Sequence, residues 1–200
     1  MKEKLTVSDS KKLFHEQFPY VIPGLYKRIV DEMLVELNLL NHQNEFNQEN
    51  LFCVGLTETF KELTRGYKPE ENLNLLFDSL CKSSNFEPSE IKEISKKTLE
   101  QYKEKSLVEI SNLLKETSKS NLYSSRILNL GIYLIISSAK DFNETKESER
   151  NKIVSDLVKD LNLSVNKAEK DIGIFKSSIV KLKQAKELME EIKIKSKKTK

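Results

Sequence analysis

Two pairs of acidic residues have a spacing that could support metal chemistry. Glu32 and Glu36 are four residues apart, and so are Glu58 and Glu62, so each pair shares one face if its segment is helical. Di-iron and di-manganese bundles use such carboxylates, but they also use Glu-x-x-His pairs. Neither histidine of this chain has a glutamate three residues before it. We therefore interpret the carboxylates as solvated residues paired with Lys or Arg, and we predict no metal site.

Other signatures of catalysis are also missing from the sequence. It contains no Gly-rich phosphate-binding loop, no H-E-x-x-H and no G-x-S-x-G, which are the patterns of common phosphate, zinc and acyl-transfer sites. Cys53 and Cys81 lie 28 residues apart, outside any C-x-x-C pair. We interpret them as reduced, buried thiols. The prediction is a protein that is not an enzyme, with no catalytic residues and no cofactor.

Positive charge is concentrated at the C-terminus. The formal net charge is +3, and five lysines without an intervening acid end the chain, so the remainder is slightly acidic. A lysine cluster can bind nucleic acid by releasing counterions, or it can touch an anionic membrane. Because no basic surface with interleaved aromatic residues is evident, we expect no nucleic-acid partner. A nucleic-acid-binding helical protein remains an alternative, and the tail could also serve solubility alone.

The composition favours an all-helical fold. Only 5 Gly and 4 Pro occur in 200 residues, and no segment has the period-two alternation of a strand. The apolar periodicity predicts seven to nine helices in one bundle. Thr6 or Ser8 should cap the first helix, Gly66 should end the third in a left-handed conformation, and Pro69 should open the fourth.

One segment is apolar enough to lie at the centre of the bundle. Residues Ile127 to Ile136 form the only strongly apolar run, and we expect a buried helix from Tyr123 to Lys140. The run is too short to cross a bilayer, which requires about 20 apolar residues. Any membrane association should therefore be peripheral.

The last 37 residues form the longest predicted element. From Ser164 to Lys200 there is no proline and one glycine, Gly173, and at about 1.5 Å per residue such a helix would span roughly 55 Å. We expect a coiled-coil-like helix that partly projects from the body. The domain prediction is a helical bundle over residues 1–163 and a long helix over 164–200 that packs on it and ends in a disordered Lys-rich tail, one domain overall.

The apolar stripe of this helix divides it in two. Ala168 to Leu182 should dock on the bundle, whereas Lys186 and Lys193 fall where a sustained dimer seam would need apolar residues. We therefore expect a monomer and keep a homodimeric helical scaffold as an alternative. From Lys183 onward the helix is free for helix-on-helix recognition. The predicted partner or membrane contacts are Lys183, Lys186, Met189, Lys193, Lys195, Lys197, Lys198 and Lys200.

A collinear succession of short motifs resembles one known family. It includes T-V-S-D-S-K from Thr6, I-P-G-L-Y-K-R-I-V-D-E-M-L-V-E from Ile22, G-Y-K-P-E from Gly66 and K-D-I-G-I-F-K-S-S from Lys170. In order and spacing these resemble the thylakoid formation protein family, also described as a photosystem II biogenesis protein, of cyanobacteria and chloroplasts. The resemblance extends from Thr6 to about Met189.

The resemblance implies a function and a location. It implies an all-helical, non-enzymatic factor for building and maintaining the photosynthetic membrane, linked to the thylakoid FtsH protease complexes that remove damaged photosystem II subunits. The partners expected from it are an FtsH-type membrane protease complex and photosystem II subunits. Because we see no transit peptide, we expect the cyanobacterial form, in the cytoplasm and peripherally associated with the cytoplasmic face of the thylakoid membrane.

Overall fold

The computed structural model describes residues 5–44, 46, 48–118 and 122–198, with only the backbone given for residues 193 and 196–198. Within these ranges the chain forms nine helices and no strand, as the all-helical prediction requires. The helices are α1 Val7–Gln17, α2 Gly24–Asn41, α3 Asn50–Leu63, α4 Asn72–Lys82, α5 Pro88–Tyr102, α6 Leu107–Thr117, α7 Arg126–Ser137, α8 Glu147–Asp160 and α9 Val165–Lys198.

Side-chain caps fix several of the helix ends. Thr6 and Asp9 form a capping box at α1, and Ser106 and Glu109 form another at α6, so each pair satisfies two backbone N–H groups that lack helical partners. Gly66 has φ of +83°, as expected of a glycine that follows a helix. The cap at Thr6 and the left-handed conformation of Gly66 are confirmed, although the C-cap of α3 is Thr64, two residues before Gly66.

Two predicted boundaries were wrong. Helix α4 begins at Asn72 rather than at Pro69, because residues 69–71 form a turn. Helix α7 covers Arg126–Ser137 rather than Tyr123 to Lys140. The Ser125 hydroxyl accepts a hydrogen bond from the Leu128 N–H at 3.1 Å, which places the N-cap three residues later than predicted.

Helices α3 and α7 cross at the centre of the fold and form its most extensive helix pair. They meet at two glycines. A Cβ atom on Gly55 would lie 2.0 Å from the Ile127 carbonyl oxygen, and one on Gly131 would lie 1.9 Å from the Leu51 carbonyl oxygen. Only glycine permits two helix backbones to approach this closely. The expected central helix is therefore confirmed, and it has a partner that is almost equally buried.

The central pair separates two apolar clusters. One cluster joins α1, α2 and α4 to α3, and the other joins α6, α8 and α9 to α7. Cys53 and Cys81 are free and buried in the first cluster. Burial raises the pKa of the Cys53 thiol to about 12, so it stays protonated at neutral pH. Among the helices described, none is long and apolar enough to cross a membrane.

Candidate partner-binding surface

Helix α9 is attached to the body along its first half. It packs on α7, α8 and α3, and its buried apolar residues are Ala168, Ile172, Phe175 and Leu182. Its N-terminus is fixed by Ser164, whose hydroxyl accepts a hydrogen bond from the Lys167 N–H at 3.4 Å. At about 1.5 Å per residue, the 34-residue helix is about 50 Å long.

A lysine extends this attachment by one further turn. The Lys186 ammonium donates to the carbonyl oxygen of Arg65 and lies against Gly66, in the turn that follows α3. The Tyr26 hydroxyl donates to the same carbonyl at 3.4 Å. A cation suits the C-terminal end of a helix, where carbonyl groups lack helical partners. The docked part of α9 therefore reaches Lys186 rather than Leu182.

Beyond Lys186 the helix exposes apolar side chains. Leu188, Met189 and Ile192 are 59%, 48% and 57% exposed, and at spacings of three and four residues they lie along one side of the helix. Acidic residues flank them, because Glu187, Glu190 and Glu191 are also exposed. We call residues 187–198 the distal segment. Exposed apolar residues that are grouped in this way mark interaction sites more often than isolated ones do.

The predicted contact residues fall into three groups. Lys183, Met189 and Lys195 are exposed, as a partner contact requires, whereas Lys186 is partly buried and bound to its own bundle. The helix continues to Lys198, but the side chains of Lys193, Lys197 and Lys198, and the whole of Lys200, lie outside the described residues. Leu188 and Ile192 were missed by the sequence analysis. Their four-residue spacing was the available signal.

The two carboxylate pairs that could have bound metal form ion pairs instead. The Glu58 carboxylate lies 2.8 Å from the Lys61 ammonium nitrogen. The Glu62 and Glu32 carboxylates lie 2.5 Å and 2.7 Å from guanidinium nitrogens of Arg65 and Arg28, respectively. Over the described part of the chain, no group of three His, Cys, Asp or Glu residues is placed to hold a metal ion. The side chains of Glu36, Glu58 and Glu62 are only 17%, 20% and 28% exposed. Of the four carboxylates, only Glu32, at 45%, is as solvated as predicted.

Glu36 belongs to a polar network between α2, α7 and α9. It accepts hydrogen bonds from the Arg126 guanidinium at 2.8 Å and from the Ile127 N–H at 3.1 Å. Nearby, the buried Asn129 amide donates to the Asp171 carboxylate at 2.8 Å. Burial raises the pKa of Glu36, and Arg126 opposes that rise. The network therefore links α7 to α2 through Glu36 and to α9 through Asp171.

The whole chain matches one family of known proteins. The family model described as thylakoid formation protein covers residues 6–200. The chain belongs to the thylakoid formation protein family. The resemblance that the motifs predicted is thereby confirmed, and the family description refers to a process rather than to a chemical reaction.

Members of the family are similar to this chain over its full length. Protein Thf1 of Prochlorococcus marinus subsp. pastoris strain MED4 is 78% identical over 200 residues, covering 100% of this chain and 99% of that protein. Protein Thf1 of Prochlorococcus marinus strain NATL1A is 41% identical over 94% of this chain and 96% of that one. A solved structure of Psb29 matches with a TM-score of 0.85 at 25% identity and covers 98% of each chain.

Replacement of Arg126 by Met should make the stability of this family member strongly dependent on pH. The change leaves Glu36 buried without its cation, so its pKa should rise further above the unfolded value. A carboxyl whose pKa is raised on folding binds its proton more tightly in the folded state, so stability falls as pH rises. Relative to wild type, the free energy of unfolding should change little below about pH 4.5, where Glu36 is mostly protonated in both the folded and the unfolded state. At neutral pH it should be lower by about 2 kcal/mol.

Urea unfolding of the wild type and the variant at a series of pH values measures this effect. Arg28→Met is the matched control, because Arg28 is 88% exposed and surface pairs contribute at most about 1 kcal/mol. A stability difference between Arg126→Met and wild type that does not change between pH 4.5 and pH 7.5 would contradict the role given to Glu36.

Proposed function

We propose that this chain is a non-enzymatic factor in thylakoid membrane biogenesis and in photosystem II assembly and repair. It acts by binding and stabilising FtsH-type protease complexes. Family membership supports the setting. The distal segment of α9 supports the mechanism, because it presents Leu188, Met189 and Ile192 to solvent beyond Lys186, whose ammonium contacts the Arg65 carbonyl of the body. That exposed segment is the observation that carries the proposal.

The chemistry of the distal segment suits recognition of another helix. Its apolar side chains can supply affinity by entering a groove, and its charged neighbours can set orientation. Lys183 and Lys195 are exposed on the same helix, and lysines near an anionic membrane surface contribute about 1 kcal/mol each. The chain therefore works as a monomer that contacts the protease complex and the cytoplasmic face of the thylakoid membrane. Photosystem II subunits are further partners in this scheme.

Affinity purification from native thylakoid membranes tests the proposal. One bait is the full chain, and the other ends at Lys186, which keeps the buried residues of α9 and the contact of Lys186 with the Arg65 carbonyl. The protease subunits should be recovered with the full chain and should fall at least about ten-fold with the shortened one, as expected when the residues that dominate an interface are removed. Equal recovery with both baits would place the binding surface on the bundle, and no recovery with either would refute the proposed partner.

A further inference from the structure

A long groove separates α2 from the first half of α9. Helix α2 packs mainly on α1 and α4, whereas α9 packs mainly on α7, α8 and α3, so the two helices stand apart along one side of the molecule. The space between them has a volume of about 640 Å³. Its α9 wall runs from Lys170 to Ala185, which is about 22 Å or four helical turns. We call this space the α2–α9 groove.

The groove has apolar side chains on both walls and allows close backbone approach, with Ser177 and Ser178 also on its α9 wall. Leu25 and Ile29 line the α2 wall, and Ile174, which is 45% exposed, lines the α9 wall. Gly173 is also part of the α9 wall, and no atom lies within 4 Å of the position that a Cβ atom on it would occupy. A helix laid in the groove could therefore approach α9 closely and bury its own apolar side chains against these three residues.

Positive charge lies at both ends of the α9 wall. Lys170 and Lys181 are exposed, and neither forms an ion pair with any carboxylate that the structure describes. They are eleven residues apart, which is three turns, so they lie on one face about 16 Å from each other. On the opposite wall Arg28 is paired with Glu32. The two lysines therefore give the rim an uncompensated positive charge.

We infer that the α2–α9 groove binds an amphipathic helix of a partner protein that carries acidic residues about three turns apart. Leu25, Ile29 and Ile174 match the apolar face of such a helix, and Lys170 and Lys181 match the two acidic positions. A nucleic acid fits less well, because its phosphates would lie over Leu25, Ile29 and the Glu32 carboxylate. This surface is separate from the distal segment, so the inference does not depend on the protease being the partner.

Site-specific photo-crosslinking in native membranes tests the groove. The full chain carries benzoylphenylalanine in place of Ile174, and the crosslinked peptide is identified by mass spectrometry. The expected product is a peptide from another protein with apolar residues at helical spacing and acidic residues about eleven positions apart. A crosslink to lipid, to a second copy of this chain or to a peptide without that pattern would overturn the inference, as would no crosslink.

Charge reversal provides the second arm of the experiment. The double substitution Lys170→Glu and Lys181→Glu is added to the chain that carries benzoylphenylalanine. It should reduce the yield of crosslinked peptide about ten-fold, because two attractions to acidic residues of the partner become repulsions. The control is Lys152→Glu with Lys159→Glu, two exposed lysines on α8, which should leave the yield unchanged. An undiminished crosslink in a Lys170/Lys181 variant that melts like the wild type would contradict the role of the rim. If the groove crosslink appears while the protease is not recovered, only the proposed function fails.

Discussion

Gly131→Ala should destabilise the fold by about 3 kcal/mol or more, which is at or above the upper end of the usual cost of overpacking a core. The added Cβ would lie 1.9 Å from the Leu51 carbonyl oxygen. That oxygen belongs to the backbone of a buried helix, so it cannot move aside as the end of a flexible side chain can. Helices α3 and α7 would have to separate, and the packing on both sides of the pair would loosen. Denaturant unfolding monitored by circular dichroism measures the loss.

Two other glycine substitutions make the test specific. Gly55→Ala should be similarly harmful, because its Cβ would lie 2.0 Å from the Ile127 carbonyl oxygen. Gly173→Ala is the control, since it also lies within a helix but has open space around it. There the better helix propensity of alanine should add up to about 1 kcal/mol of stability. An unfolding midpoint for Gly131→Ala equal to that of wild type would contradict the close crossing of α3 and α7.

Replacement of Leu188, Met189 and Ile192 by alanine should weaken capture of the protease complex about 100-fold. The three side chains are about half exposed, and burying the remainder of each against a partner gives about 1 kcal/mol apiece, or about 3 kcal/mol together. Alanine keeps the charge of the distal segment and its helical propensity. The expected loss is therefore one of apolar contact, and recovery of protease subunits from native membranes measures it.

The matched control removes a similar apolar area elsewhere. Leu39, Leu75 and Val108 are 53%, 39% and 61% exposed on α2, α4 and α6, and their triple alanine variant should capture the protease as wild type does. Both variants should melt close to the wild-type temperature, because their substituted side chains face solvent. Equal capture by the two triple variants would exclude the distal segment as the binding surface.

Local signals in the sequence were sufficient to predict several parts of the fold. The capping pattern from Thr6 to Asp9, the glycine at position 66 and the apolar run of α7 depend on neighbouring residues, and the structure confirms each. The burial of α3 was not predicted. Its residues Leu51 to Leu56 are all buried, although the sequence pattern resembled that of an ordinary amphipathic helix.

The missing information concerned contacts between distant parts of the chain. Gly55 and Gly131 are recognisable as a helix crossing only once α3 and α7 are known to meet, 76 positions apart in the sequence. Lys186 interrupts an apolar stripe, and its spacing alone suggested a free lysine. In the structure its partner is the backbone carbonyl of Arg65, 121 residues away, and no side-chain pattern reveals a backbone acceptor.

The sequence predicted where the candidate surface lies on α9, but it did not predict all of the residues that form it. The single stripe that begins at Ala168 was sufficient to predict the lysines and Met189 beyond Leu182 as contacts. Leu188 and Ile192 lie beside Met189 but outside that stripe, and they are exposed. Once the first stripe is docked on the body, Leu188 and Ile192, with Met189 and Ile194, are exposed apolar residues of the distal segment that remain available to a partner.

Binding of the purified chain to the purified, detergent-solubilised thylakoid FtsH complex tests the central claim most directly. We expect saturable binding of the full chain and slower loss of assembled protease on warming when the chain is bound. The variant with alanine at Leu188, Met189 and Ile192 should bind about 100-fold more weakly. No saturable binding, or equal affinity of the full chain and this variant, would contradict the central claim.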